Sequence, residues 1–180
     1  MMRGPVFLDR DGVINRRRVG DWVRRPEQLE PLPGALAAIA RLTAHGLTPV
    51  VVTNQSGIGR GVMSWADLES VHAHLRELVA RAGGEIRAIY VCPHAPNEGC
   101  ACRKPGLALF ERAATELGLD LRAATMIGDA ASDIAAARAG SFARALLVTD
   151  PVDGYPRDAP APDREFVSLA DAVEYVLALD

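Results

Sequence analysis

Short apolar runs alternate with longer segments of helical periodicity along this chain, and this alternation constrains its fold more than any other feature. Strands buried on both faces are brief and mostly apolar, whereas crossovers between parallel strands need a dozen or more residues. The pattern predicts an α/β fold with a central parallel sheet covered by helices. The predicted strands are Val6 to Asp9, Thr48 to Thr53, Ile86 to Cys92, Thr125 to Gly128 and Ala143 to Thr149.

Local start and stop signals place helices between and after these strands. Proline and serine mark several starts, and glycines mark the ends. The stretch from Asp150 to Arg164 holds four prolines and several aspartates, so we expect a surface loop there. The predicted helices are Pro33 to about His45, Trp65 to about Ala82, the segment after Pro105-Gly106 to about Leu117, Ala131 to Ala139, and one that starts at Ser168.

Composition bounds the class of protein. The chain has 180 residues, of which 49% are hydrophobic and 24% charged, with a net charge of -3, and we expect one globular domain over residues 1–180. Nucleic acid is disfavoured as a partner because duplex binding needs clustered Lys and Arg, and the short run Arg16-Arg17-Arg18 is typical of a solvated loop. The apolar stretch near the N-terminus is too short for a signal peptide or a membrane span. We therefore expect a cytoplasmic protein without a membrane partner, and a monomer by default.

Polar motifs follow the predicted strands. In open parallel sheets ligands bind beyond the carboxyl ends of the strands, where the strand order reverses. We therefore expect the side chains of these motifs to collect on one rim of the sheet. The motifs are Asp9-Arg10-Asp11-Gly12, Thr53-Asn54-Gln55-Ser56-Gly57, Cys102-Arg103-Lys104-Pro105, and Gly128-Asp129 with Asp133.

The acids in these motifs predict a magnesium site. Asp9 and Asp11 are two residues apart, and two such carboxylates repel each other unless a cation or a shared proton relieves them. Asp129 adds a third acid from a neighbouring strand. Mg²⁺ takes one or two carboxylates and bridges to substrate phosphate. An Asp-x-Asp pair alone is more typical of a surface turn, and the three acids together favour the metal.

The second and third motifs supply groups that suit a phosphoryl group. Thr53 and Asn54 are neutral donors, and the glycine-rich turn after Gln55 and Ser56 can present backbone N–H groups to an anion. Lys104 adds a compact cation that can neutralise charge on phosphate oxygens. Plain alternatives exist, because Asn-Gln-Ser-Gly is equally typical of an ordinary turn and a lone lysine is usually exposed.

All three cysteines fall between positions 92 and 102. With His94, the thiols of Cys92, Cys100 and Cys102 have the composition of a closed structural zinc site, and the short loop 95–99 can fold the two pairs onto one ion. Unrelated buried thiols are the alternative. Since four protein ligands leave no open position, we expect the zinc to be structural and to brace Arg103 and Lys104 towards the substrate.

In this order and spacing the motifs resemble those of the haloacid dehalogenase (HAD) superfamily, subfamily IIIA. More narrowly, the chain is similar to the branch of the heptose-bisphosphate and histidinol-phosphate phosphatases. The resemblance covers essentially the whole chain and implies a Rossmann-like three-layer sandwich. The connections after Asp11 and between the second and third strands leave room for only a minimal cap. The branch also carries a zinc-stapled loop, here in a short form.

The resemblance implies a role for each site residue. Asp9 would be the nucleophile that forms an aspartyl-phosphate, and Asp11 the general acid and base. Mg²⁺ would be held by the Asp9 carboxylate, the Asp11 backbone carbonyl and Asp129. The remaining residues would bind the phosphoryl group or the substrate, except Asp133, which would support the metal shell and the helix start. These binding residues are Thr53, Asn54, Gln55, Ser56, Arg103 and Lys104.

The expected function is magnesium-dependent removal of the 7-phosphate from D-glycero-D-manno-heptose 1,7-bisphosphate. The chain departs from the branch pattern at Asp21, Ala130 and Asp150, so histidinol phosphate or another small sugar phosphate stays open as the substrate. A polynucleotide substrate is disfavoured by the charge of the chain. A protein of a different class, a non-catalytic zinc-stapled module that binds phosphate, is the further alternative. The intact set of carboxylates argues against it, because they would repel phosphate without a metal.

Overall fold

A six-stranded parallel sheet forms the centre of the structure, a computed structural model that describes residues 4–149 and 155–179. The sheet order is β3-β2-β1-β4-β5-β6, and each neighbouring pair is parallel. This confirms the predicted α/β fold. The chain order reverses beside β1, which pairs with both β2 and β4. The strands are β1 (Val6–Leu8), β2 (Val50–Asn54), β3 (Ala88–Cys92), β4 (Thr125–Gly128), β5 (Arg144–Val148) and β6 (Arg164–Phe166).

A capping side chain or a glycine marks the start of the first two helices. Ser64 caps α2, and its hydroxyl accepts a hydrogen bond from the Asp67 backbone N–H at 3.1 Å. The first helix was predicted from Pro33 and begins at Ala35, because Gly34 in a left-handed conformation (φ 76°) precedes the first helical residue. The helices are α1 (Ala35–Ala44), α2 (Trp65–Arg81), α3 (Ala108–Leu117), α4 (Ala131–Ala139) and α5 (Leu169–Ala178), with 3-10 turns at Pro26–Gln28 and Leu121–Ala123.

Both faces of the sheet are covered, which makes three layers. Alternate residues of β1 point to opposite faces, so Leu8 packs in one hydrophobic cluster and Phe7 in the other. On the Phe7 face, the rings of Phe7 and Phe110 meet edge to face with centroids 5.2 Å apart, and Phe142 completes the aromatic group. Burial of β1 on both faces holds the residue that follows it, Asp9, in a fixed position.

Neither an inserted domain nor a helix that could span a membrane is found among the described residues. Between β1 and α1 the backbone is irregular apart from the 3-10 turn and isolated β-bridges, and the described residues contain no inserted cap domain. None of the described helices combines the length and the apolar character that a membrane crossing requires.

The predicted loop from Asp150 to Arg164 is wrong at its end, because Arg164 begins β6. Both Arg164 and Glu165 are exposed, so this short edge strand lacks the apolar run that identifies the others. Residues 150–154, which include the departure at Asp150, lie outside the described residues. The other predicted strands and helices are present, with ends that differ by up to about two residues.

Candidate active site and cysteine cluster

A cavity of about 360 Å³ lies beyond the carboxyl ends of β1 and β2, beside the N-terminus of α4. The strand-end motifs meet at this edge of the sheet, where open parallel sheets bind ligands, but Asp129 and Asp133 are not among the residues that line the cavity. The floor is formed by acids and a lysine, and the rim by arginines and Trp22. The predicted site residues that line the cavity are Asp9, Asp11, Thr53, Asn54, Gln55, Ser56, Arg103 and Lys104.

Lys104 occupies the centre of the floor and is only 4% exposed. Its ammonium group lies 3.0 Å from Asp9 Oδ1 and 2.6 Å from Asp133 Oδ1, and it donates to the Val52 carbonyl at 2.7 Å. Burial alone would lower the pKa of Lys104, but the carboxylates of Asp133 and Asp9 raise it above its usual value. The lysine is therefore a fixed cation that ties the end of β1 to α4.

Asp9, Asp129 and Asp133 form an acidic cluster in which ligand oxygens lie within 4.8 Å of one another. Burial and the neighbouring carboxylates raise the pKa of Asp129 to about 8. Burial, partly offset by Lys104, raises the pKa of Asp9 to about 6. Among the described residues Asp129 Oδ1 is buried without a hydrogen-bond partner. The cluster thus carries more negative charge than its protein neighbours neutralise, and a hard cation such as Mg²⁺ fits it.

Gly12 allows the Asp129 carboxylate to reach this cluster. Its backbone has a φ of 85°, which is left-handed, and a Cβ added there would overlap the carboxylate of Asp129. The atom nearest to this Cβ is Asp129 Oδ2, which also accepts a 2.5 Å hydrogen bond from Arg17 Nη2. The glycine in the turn after β1 therefore determines where the side chain of Asp129, which follows β4, can lie.

Asp11 is held by three side chains. Arg10, which is fully buried, donates from Nη2 to both carboxylate oxygens at 3.0 Å. Asn15 Nδ2 donates to Oδ1 at 2.8 Å, and Gln55 Nε2 donates to Oδ2 at 2.7 Å. Burial alone would raise the pKa of Asp11, but the Arg10 charge and these hydrogen bonds lower it below its usual value. The carboxylate is therefore ionised and fixed in orientation.

Two of the predicted phosphoryl-binding amides are engaged with protein groups. Gln55 Nε2, besides its bond to Asp11, donates to Thr53 Oγ1 at 2.9 Å. Asn54 Oδ1 accepts from the Lys104 backbone N–H at 3.1 Å, and Asn54 Nδ2 donates to the Lys104 carbonyl at 3.4 Å. In this structure these amides position Asp11, Thr53 and Lys104.

The rim of the cavity is basic and aromatic. Arg17, Arg18 and Arg103 line it together with Trp22, and the Arg60 guanidinium lies 5.9 Å from the centre of the Trp22 ring. Ala130 also lines the cavity but contributes only a methyl group. The rim can therefore contact an anionic or hydroxylated group of a ligand that lies on the floor.

Cys92, His94, Cys100 and Cys102 bring their ligand atoms within 4.8 Å of one another. Cys92 Sγ lies 3.7 Å from Cys100 Sγ and 3.2 Å from Cys102 Sγ, and His94 Nδ1 lies 3.1 Å from Cys102 Sγ. A tetrahedral ion with zinc–sulfur bonds of about 2.3 Å needs sulfur atoms roughly 3.8 Å apart, close to the first distance. Burial raises the pKa of the Cys92 thiol to about 12, so metal binding there must displace a proton.

The cysteine cluster is joined to the cavity by its backbone. The Cys92 carbonyl accepts from the Gln55 backbone N–H at 2.7 Å, and the Pro93 carbonyl accepts from Gly59 N–H at 2.8 Å. Arg103 follows the last cysteine and donates from Nη1 to the His94 carbonyl at 3.3 Å. The loop therefore contacts both the turn after β2 and the rim of the cavity.

Some residues at the site were not predicted from the sequence. Arg10 and Asn15 lie inside the first motif and grip Asp11, so their place in the motif was the available signal. Arg17 reaches Asp129, although its basic run was interpreted as a solvated loop. His72 on α2 contacts Arg10, and nothing in the local sequence indicates this contact. Asp133, predicted to support the metal shell and the helix start, also forms the ion pair with Lys104.

Comparison with known proteins agrees with this geometry. The model of the HAD-hydrolase-like family matches residues 101–172. The chain is 46% identical over 149 residues to D-glycero-beta-D-manno-heptose-1,7-bisphosphate 7-phosphatase of Pseudomonas aeruginosa, covering 83% of each chain. It is 51% identical over 100 residues to the corresponding alpha-anomer phosphatase of Mycobacterium tuberculosis, covering 56% of this chain and 53% of that protein.

A solved structure extends the similarity over nearly the whole fold. The crystal structure of the D,D-heptose 1,7-bisphosphate phosphatase from Bordetella bronchiseptica, complexed with magnesium and phosphate, superposes with a TM-score of 0.88 and 35% identity. The match covers 98% of this chain and 99% of the other. The chain therefore belongs to the haloacid dehalogenase superfamily, in the branch of the D-glycero-D-manno-heptose-1,7-bisphosphate 7-phosphatases.

Proposed function

We propose that this protein is a magnesium-dependent phosphatase that removes the 7-phosphate from D-glycero-D-manno-heptose 1,7-bisphosphate. The observation that carries the proposal is the buried ammonium group of Lys104, paired with Asp9 and Asp133 beside Asp129 at the strand ends. A cation fixed among acids suits a site that binds a metal and a phosphoryl group together. The names of the related enzymes support the same reaction.

In the proposed reaction Asp9 is the nucleophile. One of its oxygens, Oδ1, is held by the Lys104 ammonium at 3.0 Å and by the Arg10 backbone N–H at 2.7 Å. The carboxylate attacks phosphorus, an aspartyl-phosphate bond forms, and the bond from phosphorus to the sugar oxygen breaks. Water then attacks the phosphorus of this intermediate and returns Asp9 as a carboxylate.

Asp11 moves the protons of both half-reactions. It gives a proton to the leaving sugar oxygen and later takes one from the attacking water. Arg10, Asn15 and Gln55 favour the ionised form, which suits the second step. A phosphate dianion entering the cavity places a like charge beside Asp11 and raises its affinity for a proton, which suits the first step.

We propose that Asp9, Asp129 and the Asp11 backbone carbonyl hold Mg²⁺. The bound ion would neutralise negative charge shared by the phosphoryl group and Asp9. Asp133 acts through its neighbours, because its Oδ2 accepts from the Ala130 backbone N–H at 3.0 Å and its Oδ1 pairs with Lys104. Thr53 and Ser56 line the cavity, and we propose that their hydroxyl groups donate to phosphoryl oxygens.

The rim residues are proposed to select the substrate. Arg17, Arg18 and Arg103 offer guanidinium groups that match a second phosphate in a bidentate manner. Related enzymes are named for both the beta and the alpha anomer. We therefore propose that the rim residues distinguish the two orientations of the 1-phosphate. Ala130 leaves one wall without a charge, which favours histidinol phosphate as a second candidate, because that ester has only one phosphate.

The test is a phosphate-release assay with both anomers of the heptose bisphosphate, histidinol phosphate and a 5′-phosphorylated oligonucleotide. We expect release from a heptose bisphosphate with Mg²⁺ and none after chelation. Asp9→Asn should abolish turnover while the fold is kept, as circular dichroism would report. Phosphate binding without release from any ester would instead identify a non-catalytic binding module.

We also propose that Cys92, His94, Cys100 and Cys102 hold a structural zinc ion. Purified protein should contain about one zinc per chain by elemental analysis. Cys100→Ser should lower the zinc content and the melting temperature, with Ser56→Ala as a control that leaves the zinc content unchanged. Protein that lacks zinc, together with full stability of Cys100→Ser, would exclude the site.

A further inference from the structure

The buried guanidinium of Arg10 has a second partner behind the cavity. Its Nη2 and Nε face the Asp11 carboxylate, at 3.0 Å and 3.3 Å from Oδ1, whereas its Nη1 points away and lies 3.1 Å from Nε2 of His72. His72 belongs to α2, a helix that contains none of the strand-end motifs. The Arg10 side chain thus connects this helix to the carboxylate that is proposed to transfer protons.

The contact fixes the chemical state of His72. Arginine can only donate, so His72 Nε2 must accept and the ring proton must lie on Nδ1. A protonated imidazole would lose this acceptor and place a second cation against Arg10. Burial and the nearby Arg10 charge accordingly lower the pKa of His72 to about 3. The ring is therefore a neutral acceptor.

We propose that His72 is a positioning residue for the phosphatase reaction: by accepting from Arg10 Nη1 it keeps the guanidinium turned towards Asp11. This inference rests on the function proposed above. All three nitrogens of the guanidinium are engaged in this arrangement, two by Asp11 and one by His72. The side chain of Arg10 is fully buried, so solvent does not supply a replacement acceptor readily.

Loss of the His72 acceptor should slow protonation of the leaving group more than the other steps of the reaction. An unpaired N–H on Arg10 favours rotation of the guanidinium, and Asp11 then loses part of its paired hydrogen bonds. Asp11 is needed most when a poor leaving group, such as a sugar alkoxide, must be protonated. An aryl phosphate whose leaving group is stable as an anion needs this proton far less.

The experiment compares His72→Leu, which removes the acceptor, with His72→Gln, whose amide oxygen can accept. For each, kcat/KM is measured with the heptose bisphosphate and with p-nitrophenyl phosphate, since this ratio reports the steps up to departure of the leaving group. We expect His72→Leu to lose about ten-fold or more on the sugar ester but less than about three-fold on the aryl ester. His72→Gln should recover most of the loss.

His74→Leu, on the same helix, is the matched control, and melting temperatures are recorded for every variant. If His72→Leu does not fold, His72→Met gives the same comparison with a more adaptable apolar side chain. Equal losses on the two esters, no loss on either, or failure of His72→Gln to recover the sugar-ester activity would overturn the inference. A wild-type protein that hydrolyses neither ester would instead contradict the proposed function itself.

Discussion

The floor of the cavity and its rim both depend on charged side chains but differ in burial. On the floor, the side chains of Asp9 and Lys104 are 12% and 2% exposed, and that of Asp133, which pairs with Lys104, is 0% exposed. On the rim, those of Arg17 and Arg18 are 48% and 41% exposed. Breaking a buried ion pair leaves an uncompensated charge, whereas exposed pairs contribute little. We infer that the floor is constrained by both stability and chemistry, and that the rim can change with the substrate at little cost to the fold.

Removal of the floor cation should give the largest effect. Lys104→Met leaves Asp9 and Asp133 buried without their counter-charge, and we expect the free energy of unfolding to fall by about 3 to 5 kcal/mol. Turnover should be lost as well, because the same ammonium group lines the cavity where we propose that the phosphoryl group binds. Urea denaturation and phosphate release measure the two effects separately.

The matched control is Arg103→Gln, one residue earlier in the chain and on the rim. It should change the free energy of unfolding by less than about 0.5 kcal/mol. The double variant Lys104→Met with Asp133→Asn should recover part of the lost stability, since one of the orphaned charges is gone. If Lys104→Met costs less than about 1 kcal/mol, the floor is not electrostatically different from the rim.

The same contrast explains what the sequence could predict. The strands and the residues that follow them were predictable, because buried strands have a distinct composition and their carboxyl ends must share one edge. The cysteine cluster was predictable because its four residues lie close together in the sequence. In these cases the information is local, and topology then brings the local motifs together.

Contacts between distant segments were not predictable in this way. The burial of Lys104 depends on Asp133 and the Val52 carbonyl, which are far from it in the sequence. His72 lies on an amphipathic helix. A histidine at such a position indicates only that this side of the helix is partly buried, and it does not indicate which residue the ring contacts. Strand β6 was missed because its exposed arginine and glutamate hide the apolar pattern. Tertiary context decides each of these features.

The free energy of unfolding should depend on pH through His72, which contacts the buried side chain of Arg10. The pKa of His72 is lowered from 6.5 in the unfolded chain to about 3 in the folded protein. Between these values the unfolded chain binds a proton that the folded protein does not, so stability decreases as the pH falls below 6.5. The stability advantage of the wild type over His72→Gln should shrink by about 2 kcal/mol between pH 6.5 and 4.5.

Urea denaturation at several pH values measures this difference, with His74→Gln as the control for a histidine replaced on the same helix. Comparing the two proteins at each pH removes the contributions of carboxylates that are common to both. A difference that stays constant with pH would mean that His72 is hydrated in the folded protein and that Arg10 is not a buried neighbour.

Gly12 lies against Asp129, a proposed Mg²⁺ ligand, and its replacement should give an intermediate effect. In Gly12→Ala the added Cβ must displace the Asp129 carboxylate, so we expect the apparent affinity for Mg²⁺ to fall about ten-fold, or about 1.4 kcal/mol. Gly20→Ala is the control, because Gly20 has a similar φ of 73° but no atom within 4 Å of the added Cβ. Both variants should lose about 1 kcal/mol of stability from backbone strain. Equal Mg²⁺ affinity in the two variants, measured by titration calorimetry, would exclude a metal role for Asp129.

The smallest effect is expected when an exposed arginine on the rim of the cavity is replaced. Arg18 and Arg24 both pair with Asp21, each at 3.2 Å, but of these arginines Arg18 lines the cavity and Arg24 is not among its lining residues. Arg18→Gln should raise KM about five-fold, or roughly 1 kcal/mol, with kcat unchanged, because the lost contact is made equally in the ground and transition states.

Arg24→Gln, which removes a charge of the same sign from the same ion-pair group, should leave both constants within about two-fold of the wild type. The difference between the two variants should also shrink as salt is added, since exposed charges are screened over about 10 Å at 0.1 M ionic strength. A fall in kcat for Arg18→Gln would place this arginine at the reacting phosphate. The rim would then share the chemistry of the floor, and burial would no longer separate the residues that react from those that select.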